Sequence, residues 1–383
     1  MDPTASLTPD AESHGRHPVR PAYGGACLDA IARALMAPPD QRPSWLPPPA
    51  REAEQVVLLV LDGLGWQQLQ AYLERAPVMA DMVGGPITSV APTTTATALT
   101  SIALSQPPAQ HGVVGYRIRV DGPTGDEVLN VLRWRTVSGD ARPVLPPAVF
   151  QPVAAFGGRA IPVVTHAEFL GTGFTTAHLS GARHVGWWLP SGIPVEVKEL
   201  LDGGEPFVYA YYDGIDRTAH IFGLDDHYQA ELMAADRLVG DLRSALPAGA
   251  ALVVTADHGQ VQVGPSVFPV DPEVTAETFM MSGEARFRWL HARPGRAEDL
   301  AASARQRYRD EAWVWTIDEL DAGGWYGGAL TQGDRRRLGD VALVPFRAVG
   351  YLDPADTGEL RLVCRHGSLT EAEMLVPCLA AGR

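Results

Sequence analysis

Three short, continuous apolar runs along the chain are each followed by an acidic residue. The runs are rich in β-branched and aliphatic side chains and occupy positions 56–61, 207–212 and 252–255. Asp62, Asp213 and Asp257 follow them closely. Unbroken apolar runs of this length are typical of strands buried on both faces of a parallel sheet. The pattern therefore predicts parallel strands with carboxylates at their carboxyl ends.

Helical periodicity appears between these runs. Apolar positions separated by four, three, four and three residues predict one buried helix face, formed by Tyr228, Leu232, Ala235, Val239 and Leu242. Strands that alternate with helices predict an α/β fold, in which a mostly parallel central sheet is flanked by helices. In such folds the site lies at the carboxyl ends of the strands.

Two regions interrupt the alternation and are predicted to be insertions. Residues 117–200 are rich in proline and tryptophan and are a candidate cap over the site, whereas 262–350 are predicted to form an inserted subdomain. A structural extension without substrate contact is the alternative for both. The core then comprises 23–261 and 351–383. Residues 1–22 have few large apolar side chains and are predicted to be a disordered or draped tail.

Composition narrows the choice of partners. The 383 residues include 45 acidic and 31 basic side chains, a net charge of −14, which argues against a nucleic-acid polymer or an anionic membrane as partner. Three cysteines without a CxxC pair argue against a disulfide framework. With no apolar run of signal-peptide or membrane-span length, we expect a soluble, cytoplasmic protein, and the sequence predicts no oligomeric state.

Acids and histidines occur at spacings that suit metal binding. Asp216 and His220 are four residues apart, so on a helical turn both side chains point the same way and can bind one ion. Asp257 and His258 are adjacent at a strand end, where an irregular backbone lets both reach one cleft. Oxygen and imidazole donors without thiolate suit zinc, with manganese or another divalent ion as the alternative.

The chain resembles the alkaline phosphatase superfamily and, within it, looks most like the type I phosphodiesterase/nucleotide pyrophosphatase family. The matching stretches are VVLLVLDGLGW at 56–66, APTTTATALTSIALSQPPAQHGVVGY at 91–116, YYDGIDRTAHIFG at 211–223, VVTADHG at 253–259 and RHGSLTEAEMLVPCL at 365–379. The resemblance implies an alkaline-phosphatase-like core and a metal-dependent hydrolase of phosphoric ester bonds.

The resemblance also implies two metal sites, for zinc or manganese. In similar enzymes one ion is held by the acid of the first DG, the DH pair and the nucleophile, which correspond here to Asp62, Asp257, His258 and Thr95. The other ion is held by the DxxxH pair and the late HG histidine, which correspond to Asp216, His220 and His366.

The nucleophile of similar enzymes is the second hydroxyl residue of a P-[ST]-x-T pattern. This pattern falls on Thr95, and the run of three threonines leaves Thr94 as the alternative. A threonine hydroxyl is a poor nucleophile at neutral pH, and two metal ions can activate it and hold the oxygens of an in-line displacement at phosphorus. If Thr95 begins the helix predicted over 96–104, the backbone N–H groups meet the phosphoryl oxygens. We therefore predict a phosphothreonine intermediate.

The chain departs from the family pattern just after the nucleophile. Similar nucleotide pyrophosphatases usually carry an aromatic residue next and an asparagine shortly beyond, where this chain has Ala96 and Ala98. A ring for a nucleobase and an amide for the phosphoryl group are thus missing. Tyr116 and Trp134 from the insertion are candidate substrate-binding rings, with core packing as the alternative for each.

These observations predict a two-metal phosphoric ester hydrolase acting on a small phosphodiester or nucleotide. The first alternative is a phosphomonoesterase or phosphonate hydrolase with the same metals, which needs a further cation for which Arg117 and Arg217 are candidates. The second alternative is an inactive binding protein. Arg286, Arg288 and Arg293 are predicted to lie on a solvated strand face, with an anion pocket as the alternative. His111 is predicted to be a helix-capping or buried, hydrogen-bonded histidine rather than a ligand.

Overall fold

The computed structural model describes residues 17–123, 125–356 and 361–383. The strands in chain order are β1 Gln55–Leu61, β2 Val83–Thr88, β3 Arg117–Gly122, β4 Gly125–Asn130, β5 Arg135–Thr136, β6 Gly139–Asp140, β7 Pro162–His166, β8 Arg183–Trp187, β9 Phe207–Tyr212, β10 Ala250–Thr255, β11 Val261–Gln262, β12 Val267–Pro269, β13 Thr278–Glu284, β14 Phe287–Ala292, β15 Ala312–Thr316, β16 Val341–Pro345, β17 Gly350–Leu352, β18 Cys364–Arg365 and β19 Leu375–Gly382.

The α-helices are α1 Leu28–Leu35, α2 Pro48–Glu52, α3 Trp66–Ala71, α4 Pro77–Ala80, α5 Thr95–Leu104, α6 Pro108–His111, α7 Pro147–Phe150, α8 Gly173–His178, α9 Ile193–Asp202, α10 Gly214–Phe222, α11 Asp226–Ala245, α12 Pro272–Ala276, α13 Ala297–Tyr308, α14 Ile317–Ala322, α15 Gln332–Arg337 and α16 Glu371–Met374. Short 3₁₀ turns occupy Pro39–Gln41, Leu73–Arg75, Ala155–Gly158, Ala167–Phe169 and Pro190–Gly192.

A seven-stranded sheet in the order β2-β19-β10-β1-β9-β7-β8 forms the centre of the molecule. The five strands from β10 to β8 run parallel to their neighbours, while β19 is antiparallel to both β10 and β2. Helices flank this sheet, and α11 buries the face predicted from its apolar spacing. The predicted α/β class with a mostly parallel central sheet is confirmed.

The three strands predicted from the apolar runs lie side by side in the middle of the sheet. Apart from the first residue of β1, every residue of β1, β9 and β10 is buried, as their unbroken apolar character requires. Because β9 and β10 run parallel to β1 on either side of it, their carboxyl ends meet at one edge. Asp62, Asp213 and Asp257 all follow the strands at that edge.

The predicted cap over 117–200 needs correction, because part of it belongs to the central sheet. Only 117–140 form a separate antiparallel sheet, β3-β4-β5-β6. The later strands β7 and β8 extend the parallel core beyond β9. Their sequence signal was weak because β7 has only five residues and begins at a proline, and because β8 is only partly buried at the sheet edge.

Residues within 262–350 build a second antiparallel sheet, β13-β14-β16-β15, with helix α13 packed on it. The prediction that Arg286 and Arg288 lie on a solvated strand face is wrong. Arg286 and Arg288 are fully buried. Arg286 forms an ion pair with Glu373, and Arg288 donates to backbone carbonyl groups that include that of Tyr351. Apolar spacing alone does not reveal an arginine whose buried partner lies far along the chain.

The predicted tail over 1–22 lies largely outside the described residues. Its last part, from position 17, runs along the surface of the core. The Val19 N–H donates to the Leu369 carbonyl at 2.8 Å, and the Arg20 guanidinium lies 4.4 Å from the centre of the Trp325 ring. Within the described ranges, no helix combines the length and apolar character needed to cross a membrane.

Candidate two-metal site

One group of buried ligands gathers where β1 and β10 end. His258 Nε2 lies 3.5 Å from Asp62 Oδ1, 3.3 Å from Asp257 Oδ2 and 3.1 Å from Thr95 Oγ1. Single ligand atoms of Asp62, Asp257 and His258 lie within 4.8 Å of one another, a spacing that one ion can bridge. The four residues assigned to one metal by resemblance therefore lie together.

The carboxylate oxygens of this group show that a cation fits. Asp257 Oδ1 accepts backbone N–H groups of Gly63 and His258, both at 3.0 Å, and Asp62 Oδ2 accepts from the Tyr211 hydroxyl. The other oxygens, Asp62 Oδ1 and Asp257 Oδ2, are buried and find no hydrogen-bond partner in the described part of the chain. Buried carboxylate oxygens without donors are costly unless a cation binds them.

A second group adjoins the first. Asp216 Oδ1 lies 3.3 Å from His220 Nε2, as the i, i+4 spacing on α10 predicts. His366 stacks on His258 with ring centres 3.6 Å apart, and Asp216, His258 and His366 also bring ligand atoms within 4.8 Å. His258 therefore lies between the two groups, which places the two sets of candidate ligands side by side.

The candidate imidazole ligands all have their Nδ1 atom engaged by a backbone carbonyl. His220 Nδ1 lies 2.8 Å from the Cys364 oxygen, His258 Nδ1 3.1 Å from the Gly259 oxygen and His366 Nδ1 2.8 Å from the Thr93 oxygen. A proton on Nδ1 leaves the Nε2 lone pair free. This is the second-shell arrangement that orients histidines for metal binding.

The pKa shifts of these side chains are also relevant to metal binding. Burial, reinforced by the charges of Asp257 and Asp216, raises the pKa of Asp62 well above its usual range. Burial also raises the pKa of Asp257. The pKa of His366 is held well below its ordinary value by burial and then by His258 and His220. A bound divalent cation would oppose the shifts at Asp62 and Asp257, because it favours ionised carboxylates, and would reinforce the shift at His366, because it favours a neutral imidazole.

Thr95 begins helix α5 beside these ligands. Thr94 precedes the helix in an extended conformation, and its side chain does not cap the first turn. The N–H groups of that turn therefore remain available to an anion, and the helix dipole favours negative charge there. The arrangement provides a hydroxyl, candidate metal ligands and backbone donors at one point.

The neighbouring threonines differ from Thr95 in their surroundings. Thr93 Oγ1 donates to the Ser368 carbonyl at 2.7 Å and accepts from the Gly367 N–H at 3.1 Å, which fixes it to the loop that carries His366. Thr94 lines a cleft that Thr95, His220 and His366 also line. The contact with His258 Nε2 is made by Thr95, which favours the register predicted from the motif.

Sequence analysis missed two side chains that hold the acidic ligands. The Tyr211 hydroxyl donates to Asp62, and Gln260 Nε2 donates to Asp216 Oδ1 at 2.5 Å. Tyr211 is the first residue of the matching stretch 211–223, and Gln260 directly follows the stretch 253–259. That nearness was the only available signal, since nothing in a sequence tells which way a strand residue or loop amide points.

We expect Tyr211→Phe to lower the affinity for divalent metal by about 10- to 100-fold, because Asp62 loses the hydroxyl that orients it. Isothermal titration of zinc into chelator-treated protein measures the effect. Tyr209→Phe is the matched control, since Tyr209 is another fully buried tyrosine of β9. Equal affinities in wild-type protein and Tyr211→Phe would show that the hydroxyl contributes nothing to the metal site.

Two cavities open onto Thr95. An apolar cavity of about 300 Å³ extends from Asp62 and Thr95 between α5, α8 and β9, and includes Phe169 and Phe174 in its wall. A cleft of about 260 Å³ lies on the other side and is lined by Thr94, Thr95, Tyr116, Leu132, Arg133, Asp216, His220, Glu284, Ala285, Leu362, Arg365 and His366. We call this second space the ligand cleft.

The two candidate substrate-binding rings have different positions. Tyr116 lines the ligand cleft, where its hydroxyl accepts a hydrogen bond from Asn130 at 2.7 Å. The prediction for Trp134 needs correction, because its side chain is completely buried. Its ring packs edge-on against Phe150, and its Nε1 donates to the Leu145 carbonyl at 2.8 Å. A fully buried ring whose N–H is also engaged packs the insertion and cannot stack on a substrate.

The two arginines predicted as extra cations are already paired. Arg117 is buried, with ion pairs of 2.6 Å to Asp353 and 3.3 Å to Asp356. Arg217 lies 3.4 Å from Asp213 and borders the apolar cavity rather than the ligand cleft. Neither guanidinium stands free beside the candidate metal ligands.

His111 is a buried, hydrogen-bonded histidine, as predicted. Its Nδ1 accepts the Val113 N–H at 3.1 Å, so Nε2 carries the proton and donates to Ser101 Oγ at 2.8 Å. Burial, with a smaller contribution from Arg337, lowers the pKa of His111 to about 3.

This pKa predicts acid lability. Between pH ~6.5 and ~3 the unfolded chain binds a proton that folded His111 does not, so stability falls as the pH falls, by up to about 1.4 kcal/mol per pH unit. In chelator-treated protein, His111→Gln should reduce this slope when unfolding by urea is measured from pH 7 to 4. His227→Gln, at an exposed imidazole, controls for loss of a histidine. Identical slopes in wild-type protein and His111→Gln would contradict the prediction.

Comparisons with known proteins agree with the fold and the motifs. A family model described as type I phosphodiesterase / nucleotide pyrophosphatase matches residues 56–367. A comparison with curated protein sequences finds no match.

Several solved structures share the fold at low sequence identity. Murine ectonucleotide pyrophosphatase/phosphodiesterase 5, solved in complex with AMP, is 15% identical with a TM-score of 0.62 over 86% of this chain and 88% of that one. The human protein of the same name gives 14% and 0.62 over the same shares. Phosphonoacetate hydrolase from Sinorhizobium meliloti 1021, solved with phosphonoacetate, gives 17% and 0.62 over 86% and 90%.

Proposed function

Because this chain belongs to the type I phosphodiesterase/nucleotide pyrophosphatase family, we propose that it hydrolyses small phosphoric esters through Thr95. The substrate class is a small phosphodiester or nucleotide, and the cofactors are two divalent cations, zinc or alternatively manganese. The observation that carries the proposal is the position of Thr95 Oγ1. This hydroxyl lies 3.1 Å from His258 Nε2, at the start of a helix and beside two carboxylates that each have one oxygen without a donor.

The ligands divide between the two cations as the resemblance implies. Asp62, Asp257 and His258 would hold one cation together with Thr95, and Asp216, His220 and His366 would hold the other. When bound, two such ions supply positive charge that lowers the proton affinity of a neighbouring hydroxyl and neutralises phosphoryl oxygens.

The chain itself supplies the nucleophile and its surroundings. Thr95 Oγ1 forms a bond to phosphorus as its proton passes to solvent water. The bond to the leaving oxygen breaks with its electron pair staying on that oxygen, and the phosphoryl group remains on Thr95. Water then breaks the new ester bond and returns the threonine hydroxyl. Throughout, the N–H groups of the first turn of α5 face the phosphoryl oxygens, and the Gly259 carbonyl keeps the His258 proton on Nδ1.

A second candidate function is supported by the start of helix α5. Ala96 and Ala98 are completely buried. The side chains of this helix turn therefore present neither an aromatic ring nor a side-chain amide to a nucleotide. A phosphomonoesterase or phosphonate hydrolase that uses the same ligands does not need those two groups.

The proposal is tested with a substrate panel on zinc-loaded and manganese-loaded protein, with intact mass measured during turnover. We expect hydrolysis of bis(p-nitrophenyl) phosphate and a phosphorylated form of the protein trapped early in the reaction. An inactive binding protein would instead show no turnover of any phosphate or phosphonate ester, although its metal sites were filled.

A further inference from the structure

Arg133 is an exposed cation in the ligand cleft that forms no ion pair with any of the described residues. It lines the same cleft as Thr95, His220 and His366. In the described part of the chain, its guanidinium makes no ion pair or hydrogen bond, in contrast to Arg117 and Arg217. The other arginine of the cleft, Arg365, is buried. A cation left unpaired at the opening of an anion-processing cleft is a candidate for recognising the substrate.

The backbone that carries Arg133 is held firmly. The next residue, Trp134, has φ of 52°, a left-handed conformation that a bulky side chain rarely adopts. It persists because the Trp134 ring is locked in the insertion and Gly173 leaves room for it. A Cβ at Gly173 would lie 2.3 Å from the tryptophan. The Asn130 side chain also accepts the Arg133 N–H at 3.0 Å. Strain of this kind recurs where a protein presents a functional side chain.

Arg133 also lines a neighbouring pocket with Asp126, Glu127, Asp353 and Asp356. Asp126 is paired there with Arg119, and Asp353 and Asp356 are paired with Arg117.

The charges of the ligand cleft are fewer. The acids of the cleft are Asp216, which is assigned to a metal ion, and Glu284, which lies 3.6 Å from His366 Nδ1. A guanidinium binds carboxylate or phosphate oxygens through two parallel hydrogen bonds. The diester phosphate has one negative charge, which the proposed cations and the helix terminus already meet. Arg133 is therefore placed to bind a second anionic group.

We propose that Arg133 selects substrates that carry a second negative charge close to the reacting phosphorus, such as a phosphomonoester dianion or a phosphonate with a neighbouring carboxylate. This inference rests on the proposed function and narrows its substrate class. Arg133 then supplies the further cation beside the metal ions, for which the sequence analysis named Arg117 and Arg217 as candidates. Loss of one charge-assisted contact corresponds to a change of about 10- to 100-fold in kcat/KM.

The test compares kcat/KM of wild-type protein, Arg133→Gln and Arg133→Lys on three substrates at about pH 8, where a phosphomonoester is a dianion. The substrates are p-nitrophenyl phosphate, phosphonoacetate and bis(p-nitrophenyl) phosphate. Arg133→Gln should lose about 10- to 100-fold on one or both of the doubly charged substrates and much less on the diester. Arg133→Lys should recover part of the loss. Arg135→Gln removes an exposed arginine of the same insertion that does not line the ligand cleft, and serves as the matched control.

Each outcome decides the question. If kcat/KM falls only for the monoester, Arg133 recognises the second charge of the phosphoryl group. If it falls only for phosphonoacetate, Arg133 recognises the carboxylate. An equal loss on all three substrates, or no loss, overturns the assignment of Arg133. Wild-type protein that hydrolyses the diester but neither doubly charged substrate also overturns it, while leaving the proposed function intact. Wild-type protein inactive on all three contradicts the proposed function itself.

Discussion

Thr95→Ala is expected to reduce kcat for bis(p-nitrophenyl) phosphate by at least about a thousandfold and to abolish the phosphorylated form of the protein. The substitution removes the hydroxyl that lies 3.1 Å from His258 Nε2 at the start of helix α5. Alanine is a good helix former, so the helix should remain intact. Steady-state kinetics and intact mass, measured on the same metal-loaded sample, give the two readouts.

Two neighbouring variants make this result specific. Thr95→Ser keeps a hydroxyl and should retain measurable turnover, whereas Thr94→Ala should retain most activity if the motif register is right. Zinc content is measured in each variant, because a drop in bound metal would mimic loss of the nucleophile. Full activity in Thr95→Ala, or a complete loss in Thr94→Ala alone, would move the nucleophile away from Thr95.

Much of the core was predictable because its signals are local. An unbroken apolar run identifies a strand buried on both faces, and an acid directly after it must lie at the carboxyl edge of the sheet. This reasoning located Asp62 and Asp257 correctly in the fold. The i, i+4 spacing of Asp216 and His220 likewise predicted their 3.3 Å approach on one helix.

The parts that escaped prediction depend on partners distant in sequence. Nothing near Trp134 in the sequence indicates that Gly173 and Phe150 enclose its ring, so a buried anchor resembled a substrate-binding aromatic. The same holds for Arg117, whose partners lie more than two hundred residues away. Charge and aromatic character suggest chemistry in a sequence, but burial and pairing decide whether the side chain is available for it.

The ion pair between Arg286 and Glu373 is the most consequential of these distant contacts. Arg286 Nε and Nη2 donate to the two Glu373 carboxylate oxygens at 2.7 and 2.8 Å, and both side chains are completely buried. Glu373 also accepts the Ser368 N–H at 3.0 Å and the Thr370 hydroxyl at 2.6 Å. Its backbone oxygen accepts the N–H of Gly259. The pair thus joins the second sheet to the loops that carry His258 and His366.

Arg286→Met should therefore destabilise the protein by about 3–5 kcal/mol, because it leaves a buried carboxylate without its counter-charge. Urea unfolding of metal-free protein measures the change. Arg286→Lys keeps the charge but loses the planar fork, and should cost less. This variant keeps the prediction testable if Arg286→Met does not fold. A change below about 0.5 kcal/mol, the usual size for a surface substitution, would contradict the prediction.

A double-mutant cycle separates the pair from its surroundings. Glu373→Gln alone leaves a buried guanidinium uncompensated, so it should also be strongly destabilising. In the double variant Arg286→Met/Glu373→Gln neither charge remains, and its loss should be smaller than the sum of the single losses by about 1–3 kcal/mol. Additive losses would mean that each side chain acts through its own backbone contacts. Glu373 also positions the loop at Ser368, two residues after His366. A drop in the zinc affinity of the single variants, measured under conditions in which they are folded, would therefore indicate that His366 is displaced.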